Sequence, residues 1–519
     1  MLNPVLNRAR QLLADYFEHG LLGYAVAASL AVWLTWGIWP DGPPVGDDTI
    51  AHLIRADYAI RNFVLYGRLD GWQPSFALGY QQHLFIGPTL TWLTALIQVA
   101  SLESMSTLVA FKAVIVLLFA LQPLAVGYLA HSFGLSRQAA SIAGVLSLLV
   151  SSPFGGFGIP GLFGVGLTAN LPGAVVFCLA VGAVLRLLVR PSPRRAVQAG
   201  LLFALLTVTH GISLILAVTL LVVFLPLALI DMAIWRRISK GRFAQLMGGW
   251  CDRQDTRLAP PTAFPTVHQF RLLGVAAVIA AAVAAWVILP IALPRDLRGL
   301  ITGWGHTPLP MRIVDIWNGH ILFDSAVIPW IALGLLYGVW RVLCGRFLAL
   351  SLICLPFAFL GLGELMTAID VGNVISMQIT NRGLGPAGLL AVFPLAALVA
   401  TVTRPTGKWS QVVAVAIAAT LVIVVMQRHR PNIRPVTPVP QALAAAEQLR
   451  KIVPDGARYA MQRDYPDEIR IVGMNHPDFW MAWQSGTDEG DQKQRHRPVS
   501  THARLHGLPC TACSKPATH

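Results

Sequence analysis

From about Leu21 to Met426 the sequence is a succession of apolar runs, many of them near the roughly 20 residues that an α-helix needs to cross a bilayer. Inside lipid a backbone must satisfy its own hydrogen bonds, which leaves helices or closed barrels. The runs lack the period-two alternation of barrel strands, so the chain is expected to be an all-α polytopic membrane protein. Composition agrees: of 519 residues, 55% are hydrophobic and 12% charged, with a mean hydropathy of +0.60. Soluble domains carry about twice that charge.

The net charge of +14 does not indicate nucleic acid. The basic residues cluster in short links between apolar runs, as cytoplasmic loops do. Arg186, Arg190, Arg194 and Arg195 form one such cluster, and Arg236, Arg237, Lys240 and Arg242 another. The apolar stretch 197–230 between them must cross twice, with a break expected at His210-Gly211. Arg8 and Arg10 precede a first run, Leu21–Pro40, that lacks a small-residue cleavage pattern. It is expected to be a retained helix with a cytoplasmic N-terminus. Of the next four runs, 84–100, 108–130, 138–150 and 172–189, only three can cross if the arginine cluster is to lie inside. The run 84–100 is expected not to cross, because it contains Pro88 and Gln98 and starts beside His83. Five later runs, ending with Val412–Met426, bring the expectation to about 11 crossings in a bacterial plasma (inner) membrane, with the C-terminal tail extracytoplasmic. Residues 1–427 are thus the transmembrane domain, with 41–82 as its first outer loop. A Pro-rich linker (428–442), a partial extracytoplasmic αβ module that looks truncated (443–483) and a disordered tail (484–519) are expected to follow.

The stretch Asp47–Pro88 concentrates what membrane chains avoid: four carboxylates, three arginines and two histidines. A charged loop pinned between spans is a functional-site candidate. At about 100° per residue, Asp48, His52 and Arg55 share one face of a helix, and Ile50, Leu53, Ile60 and Val64 lie roughly opposite. That pattern predicts an amphipathic interfacial helix with its polar side in an aqueous cavity. One of Asp47 and Asp48 can serve as a helix cap. The pair beside His52 exceeds what capping needs, and a carboxylate general base oriented by His52 or a cation is the functional alternative. Trp72, in Gly71-Trp72-Gln73-Pro74, and Tyr80, after Gly79, suit either an interfacial aromatic belt or a stacking platform for sugars.

The acidic pair, the DxxxH helix after the first span, G-R-x-x-x-W-x-P, the Gly-Tyr pair and a Pro-containing apolar run together resemble the first outer loop of GT-C class membrane glycosyltransferases. They are most similar to the bacterial "6-pyruvoyl-tetrahydropterin synthase-related" membrane proteins, which are arabinofuranosyltransferase-like. The layout is similar over the whole membrane part, and the sharp motifs lie in 47–88. Where the family often carries an aromatic-Tyr-Pro-Pro run, this chain has Leu84-Phe85-Ile86-Gly87-Pro88. The resemblance implies a polyprenyl-phosphate-linked sugar donor, a glycan or lipid acceptor, and a catalytic aspartate at Asp48, with Asp47 as the alternative. Such transfer also needs cations for the departing phosphate. Lys112, within an apolar run, is one candidate, with snorkelling to the interface as the alternative. Arg382 in QITNRG is a second. His210 could face the same cavity or be a satisfied structural histidine. Trp304 and His306, in an outer loop with Asp315, Trp317, Asn318, His320 and Asp324, could bind a glycan acceptor or a metal; no ligand spacing is diagnostic, so acceptor contact or simple solvation is preferred. No cofactor is expected. Glu364 and Asp370 could join Asp47 or Asp48 around a divalent cation, but many members of the family this chain resembles act without metal, so none is expected. The alternatives to an enzyme are a transporter or flippase of a lipid-linked saccharide and a non-catalytic envelope-assembly protein. The absence of an internal repeat disfavours the transporter.

Overall fold

A computed structural model describes residues 20–46, 48–68, 72–73, 80–81, 87–102, 104–152, 157–163, 166–238, 266–292, 309–344, 348–368 and 381–428. The linker, αβ module and tail expected after residue 428 lie outside them, as do Asp47, Trp304, His306 and Asp370.

The described chain is almost wholly helical. The helices are α1 (Leu21–Thr35), α2 (Thr49–Tyr66), α3 (Thr89–Ala100), α4 (Thr107–Ser132), α5 (Arg137–Leu146), α6 (Gly158–Phe163), α7 (Asn170–Val189) and α8 (Pro193–Thr209). They continue with α9 (Gly211–Ile238), α10 (Val267–Ala292), α11 (Leu309–Trp317), α12 (Ile328–Leu343), α13 (Ala349–Ala368), α14 (Leu384–Thr403) and α15 (Ser410–Arg428). Two-residue strands β1 (Trp72–Gln73) and β2 (Tyr80–Gln81) pair antiparallel within the first loop. Among the described residues, seven helices are long and apolar enough to cross a membrane, and three shorter apolar helices accompany them. The chain is an all-α polytopic membrane protein, as its hydropathy predicts.

Local chemistry sets several helix ends. Ser136 accepts the Ala139 N–H at 3.1 Å ahead of α5. Ser192 caps α8 and Pro193 opens it, where a missing N–H costs nothing. Gly67 ends α2 with φ +66°, and the Arg68 N–H returns to the Asn62 carbonyl.

The run 84–100 yields the 12-residue α3, about 18 Å long against the ~30 Å of a bilayer core, in keeping with a run that does not cross. The run 138–150, expected to cross, is instead the 10-residue α5 followed by a single 3-10 turn, Ser147–Leu149. Its chain then turns away, and the Ser151 N–H bonds the Leu322 carbonyl at 2.7 Å.

The chain divides into two compact units. The first contains α1, residues 86–89 and everything described from Ala113 onward. Its centre is α14, buried almost throughout and packed against α5, α12, α13 and α15. Around it α8 packs on α7 and α10, and α9 on α13. Buried Asp231 on α9 caps α13: Oδ2 accepts the Ser351 N–H and hydroxyl, each at 2.9 Å, and Oδ1 the Leu350 N–H at 3.4 Å. The second unit comprises 37–85 and 90–112, and so holds α2, the strand pair, α3 and the start of α4.

Candidate functional site

In the second unit, the turn Val45–Gly46 sets up the head of α2. The Thr49 N–H bonds the Gly46 carbonyl and the Thr49 hydroxyl the Val45 carbonyl, both at 3.2 Å. Asp48 occupies the N-cap position, yet its side chain makes no capping hydrogen bond. The Asp48 side chain therefore does not serve as the cap of this helix.

His52 follows one turn later, with its N–H on the Asp48 carbonyl at 3.2 Å. Its Nδ1 lies 3.2 Å from an Arg55 guanidinium nitrogen. A guanidinium only donates, so Nδ1 must accept and a neutral His52 carries its proton on Nε2. The expected polar face does not form as predicted. Residues 49–54 are all buried, His52 among them, while Val64 is exposed. The first half of α2 is enclosed on all sides, and its apolar last turn is the exposed part. Arg61 pairs instead with Asp57 at 2.6 Å.

Lys112 is buried on α4 and does not snorkel. Its ammonium donates to the Pro40 carbonyl at 2.7 Å, with Asp41 close enough for its charge to act. It therefore fastens the segment that leads into Asp48. Trp72 and Tyr80 stand in the strand pair, opposite Gln81 and Gln73 respectively.

In the first unit, α8 ends at Thr209 and α9 begins at Gly211, with His210 extended between them. The expected break is there. His210 is buried, and its Nδ1 accepts the Ser213 N–H at 3.2 Å while the Ser213 hydroxyl lies 2.8 Å away. This is a histidine used as a helix cap, and it leaves the ring's proton on Nε2. Burial and then the Arg382 charge push its pKa down to about 3, so the ring is neutral. Gly173 on α7 makes room for it: a Cβ there would stand 2.8 Å from His210 Cβ and from Ser213 Oγ. The end of the 47–88 motif reaches the same break. A Cβ on Gly87 would overlap the Thr209 carbonyl oxygen, and the Thr89 hydroxyl lies 2.9 Å from that of Thr209. His210 and Arg382 are thus brought near each other, and the first unit holds both.

The fold of the chain is similar to that of an archaeal oligosaccharyltransferase. A structure of AglB from Archaeoglobus fulgidus, in complex with an inhibitory peptide and a dolichol-phosphate, matches 84% of this chain with a TM-score of 0.51 and 16% identity. The apo form of the Archaeoglobus fulgidus oligosaccharyltransferase matches 85% with a TM-score of 0.50 and 17% identity. This chain covers 58% and 59% of those chains, respectively. The sequence matches no protein-family model and no curated protein. The likeness bears out the GT-C-like fold expected from the 47–88 motif.

Two charged groups have partners that the spacing did not reveal. Glu364, a conceivable metal ligand by sequence, is ion-paired with buried Arg312 of α11. Among the described residues no group of three or more His, Cys, Asp or Glu gathers to hold a metal. Asp231, just past the end of the apolar run 197–230, was not anticipated as a cap. His210 and Ser213 do carry a readable signal, a side-chain acceptor three residues before an N–H donor at a helix start.

Proposed function

We propose that the protein is an integral membrane glycosyltransferase of the pyruvoyl-tetrahydropterin synthase-related branch. It moves a sugar from a polyprenyl-phosphate donor to a cell-envelope glycan or lipid acceptor on the outer face of a bacterial plasma membrane. The observation that carries this reading is Asp48, a carboxylate at the head of a helix whose first turns are buried and which its side chain does not cap. The GT-C-like fold and the dolichol-phosphate bound by AglB support it.

In this reading the acceptor hydroxyl oxygen attacks the anomeric carbon and Asp48 takes its proton. The bond from that carbon to the phosphate oxygen breaks, and its electron pair leaves on the polyprenyl phosphate. Arg382 receives phosphate oxygens through its forked guanidinium. His210, neutral with its proton on Nε2, adds a donor without adding charge. Asp47, Trp304 and His306 keep their sequence-based roles, as second carboxylate and acceptor contacts, and Trp72 and Tyr80 theirs as a sugar platform. Lys112 and His52 act on position: Lys112 holds the Pro40–Asp48 segment and His52 stiffens the first turns of α2.

The test is transfer or donor hydrolysis by the purified full chain in proteoliposomes, with a panel of radiolabelled polyprenyl-phosphate sugars. Turnover with one donor supports the reading. Binding of lipid-linked saccharide without turnover of any donor, accompanied by its movement between leaflets, would replace it with a flippase.

A further inference from the structure

The nine-residue α11 is built inside out for a helix in water. Met311, Ile313, Val314 and Trp317 are between 53% and 73% exposed, whereas Arg312 is 2% exposed and ion-paired with Glu364. At about 100° per residue the four apolar residues fall on one arc and Arg312 on the other. Asp315 borders the polar side, with its carboxylate 3.6 Å from His320 Nδ1. At about 1.5 Å per residue α11 is far too short to cross a bilayer.

What covers that apolar arc follows from its neighbours in the same unit. The Arg312–Glu364 pair fixes α11 to the last turns of the apolar helix α13. Beside Glu364, Leu365 is exposed, and the next helix, α12, exposes Trp330, Leu333 and Leu336. The apolar arc of α11 thus adds to exposed apolar residues on two apolar helices of the same unit, α12 and α13. We propose that α11 is a membrane-interface helix, lying in the plane of the bilayer surface with Met311, Ile313, Val314 and Trp317 seated below the phospholipid headgroups. Its occupant is the phospholipid bilayer itself, which anchors α11 at the headgroup level. Tryptophan at such a boundary and a buried arginine turned toward protein fit this placement.

The experiment uses the full chain in phospholipid nanodiscs, with Val314→Cys carrying an environment-sensitive fluorophore. The identically treated parent corrects for the native cysteines. Quenching is compared for lipids bearing a nitroxide near the top of the acyl chain, lipids bearing it near the chain end, and aqueous iodide. The proposal expects the shallow nitroxide to quench several-fold more than either of the others, and Asp315→Cys to shift toward iodide. Quenching mainly by iodide would place the arc in water. Quenching mainly by the deep nitroxide would make α11 part of a crossing segment, and protection from all three would mean a protein partner. Any of these overturns the proposal. If Val314→Cys does not elute like the parent, Met311→Cys on the same arc gives the reading.

Discussion

His210 shows how a residue with two readings is resolved by its hydrogen bonds. A ring that accepts an N–H at Nδ1 and is buried beside Arg382 cannot also hold a proton there at neutral pH. Its pKa falls from the ordinary 6.5 to about 3 on folding. Between those values the unfolded chain binds more protons than the folded one, so this contribution is intact above 6.5 and lost as pH falls toward 3. Thermal unfolding in detergent is therefore expected at lower temperature as pH drops from 7 to 5, with a flatter profile in His210→Asn. An equal slope in both proteins would remove His210 as the cause. Lys112 allows a similar separation of roles. Lys112→Met leaves the Pro40 carbonyl without its donor, at a cost of about 1–3 kcal/mol. The expected result is a lower melting temperature with donor affinity unchanged in the folded fraction. Weakened donor binding at an unaltered melting temperature would return Lys112 to phosphate recognition. The sequence made its burial in an apolar run visible, but not its partner, which lies 72 residues away.

Among the elements, α2 and α13 depend on how their first turns are satisfied. Asp48 does not cap α2 with its side chain, whereas Asp231 from α9 caps the head of α13. Asp231→Ala removes the acceptor from the buried Ser351 N–H and from the Leu350 N–H and is expected to cost about 2 kcal/mol, read as a drop of several degrees in melting temperature. Asp231→Asn, which keeps an acceptor, should lose less. Gly87→Ala pushes a methyl group into the Thr209 carbonyl and is expected to separate 86–89 from the α8–α9 break. Its protease sensitivity in that segment should rise, and unchanged digestion would contradict the packing. The α8–α9 break was legible because two basic clusters on one side demand two crossings. The burial of His52 was not, since helical periodicity assigns one wet face and says nothing about a helix enclosed on both sides over its first turns. Nor was the pairing of Glu364 with Arg312, which brings together residues 52 apart.

For the molecule as a whole, hydropathy decided the class because a bilayer admits few backbone solutions. The GT-C-like fold was legible as what the resemblance implies, carried by the layout of the membrane part and by the motifs of one loop, 47–88. Run lengths were less reliable: 138–150 is apolar enough to look like a crossing, yet it breaks after α5 to bond Leu322. The central claim is that this scaffold presents Asp48 as the base of a sugar transfer. Its most direct test is single-turnover transfer from the best polyprenyl-phosphate sugar, comparing wild type with Asp48→Asn at saturating donor. The expected rate is lower by about 10²–10⁴-fold, with the same donor affinity and melting temperature. A mutant that transfers sugar as fast as wild type would contradict it.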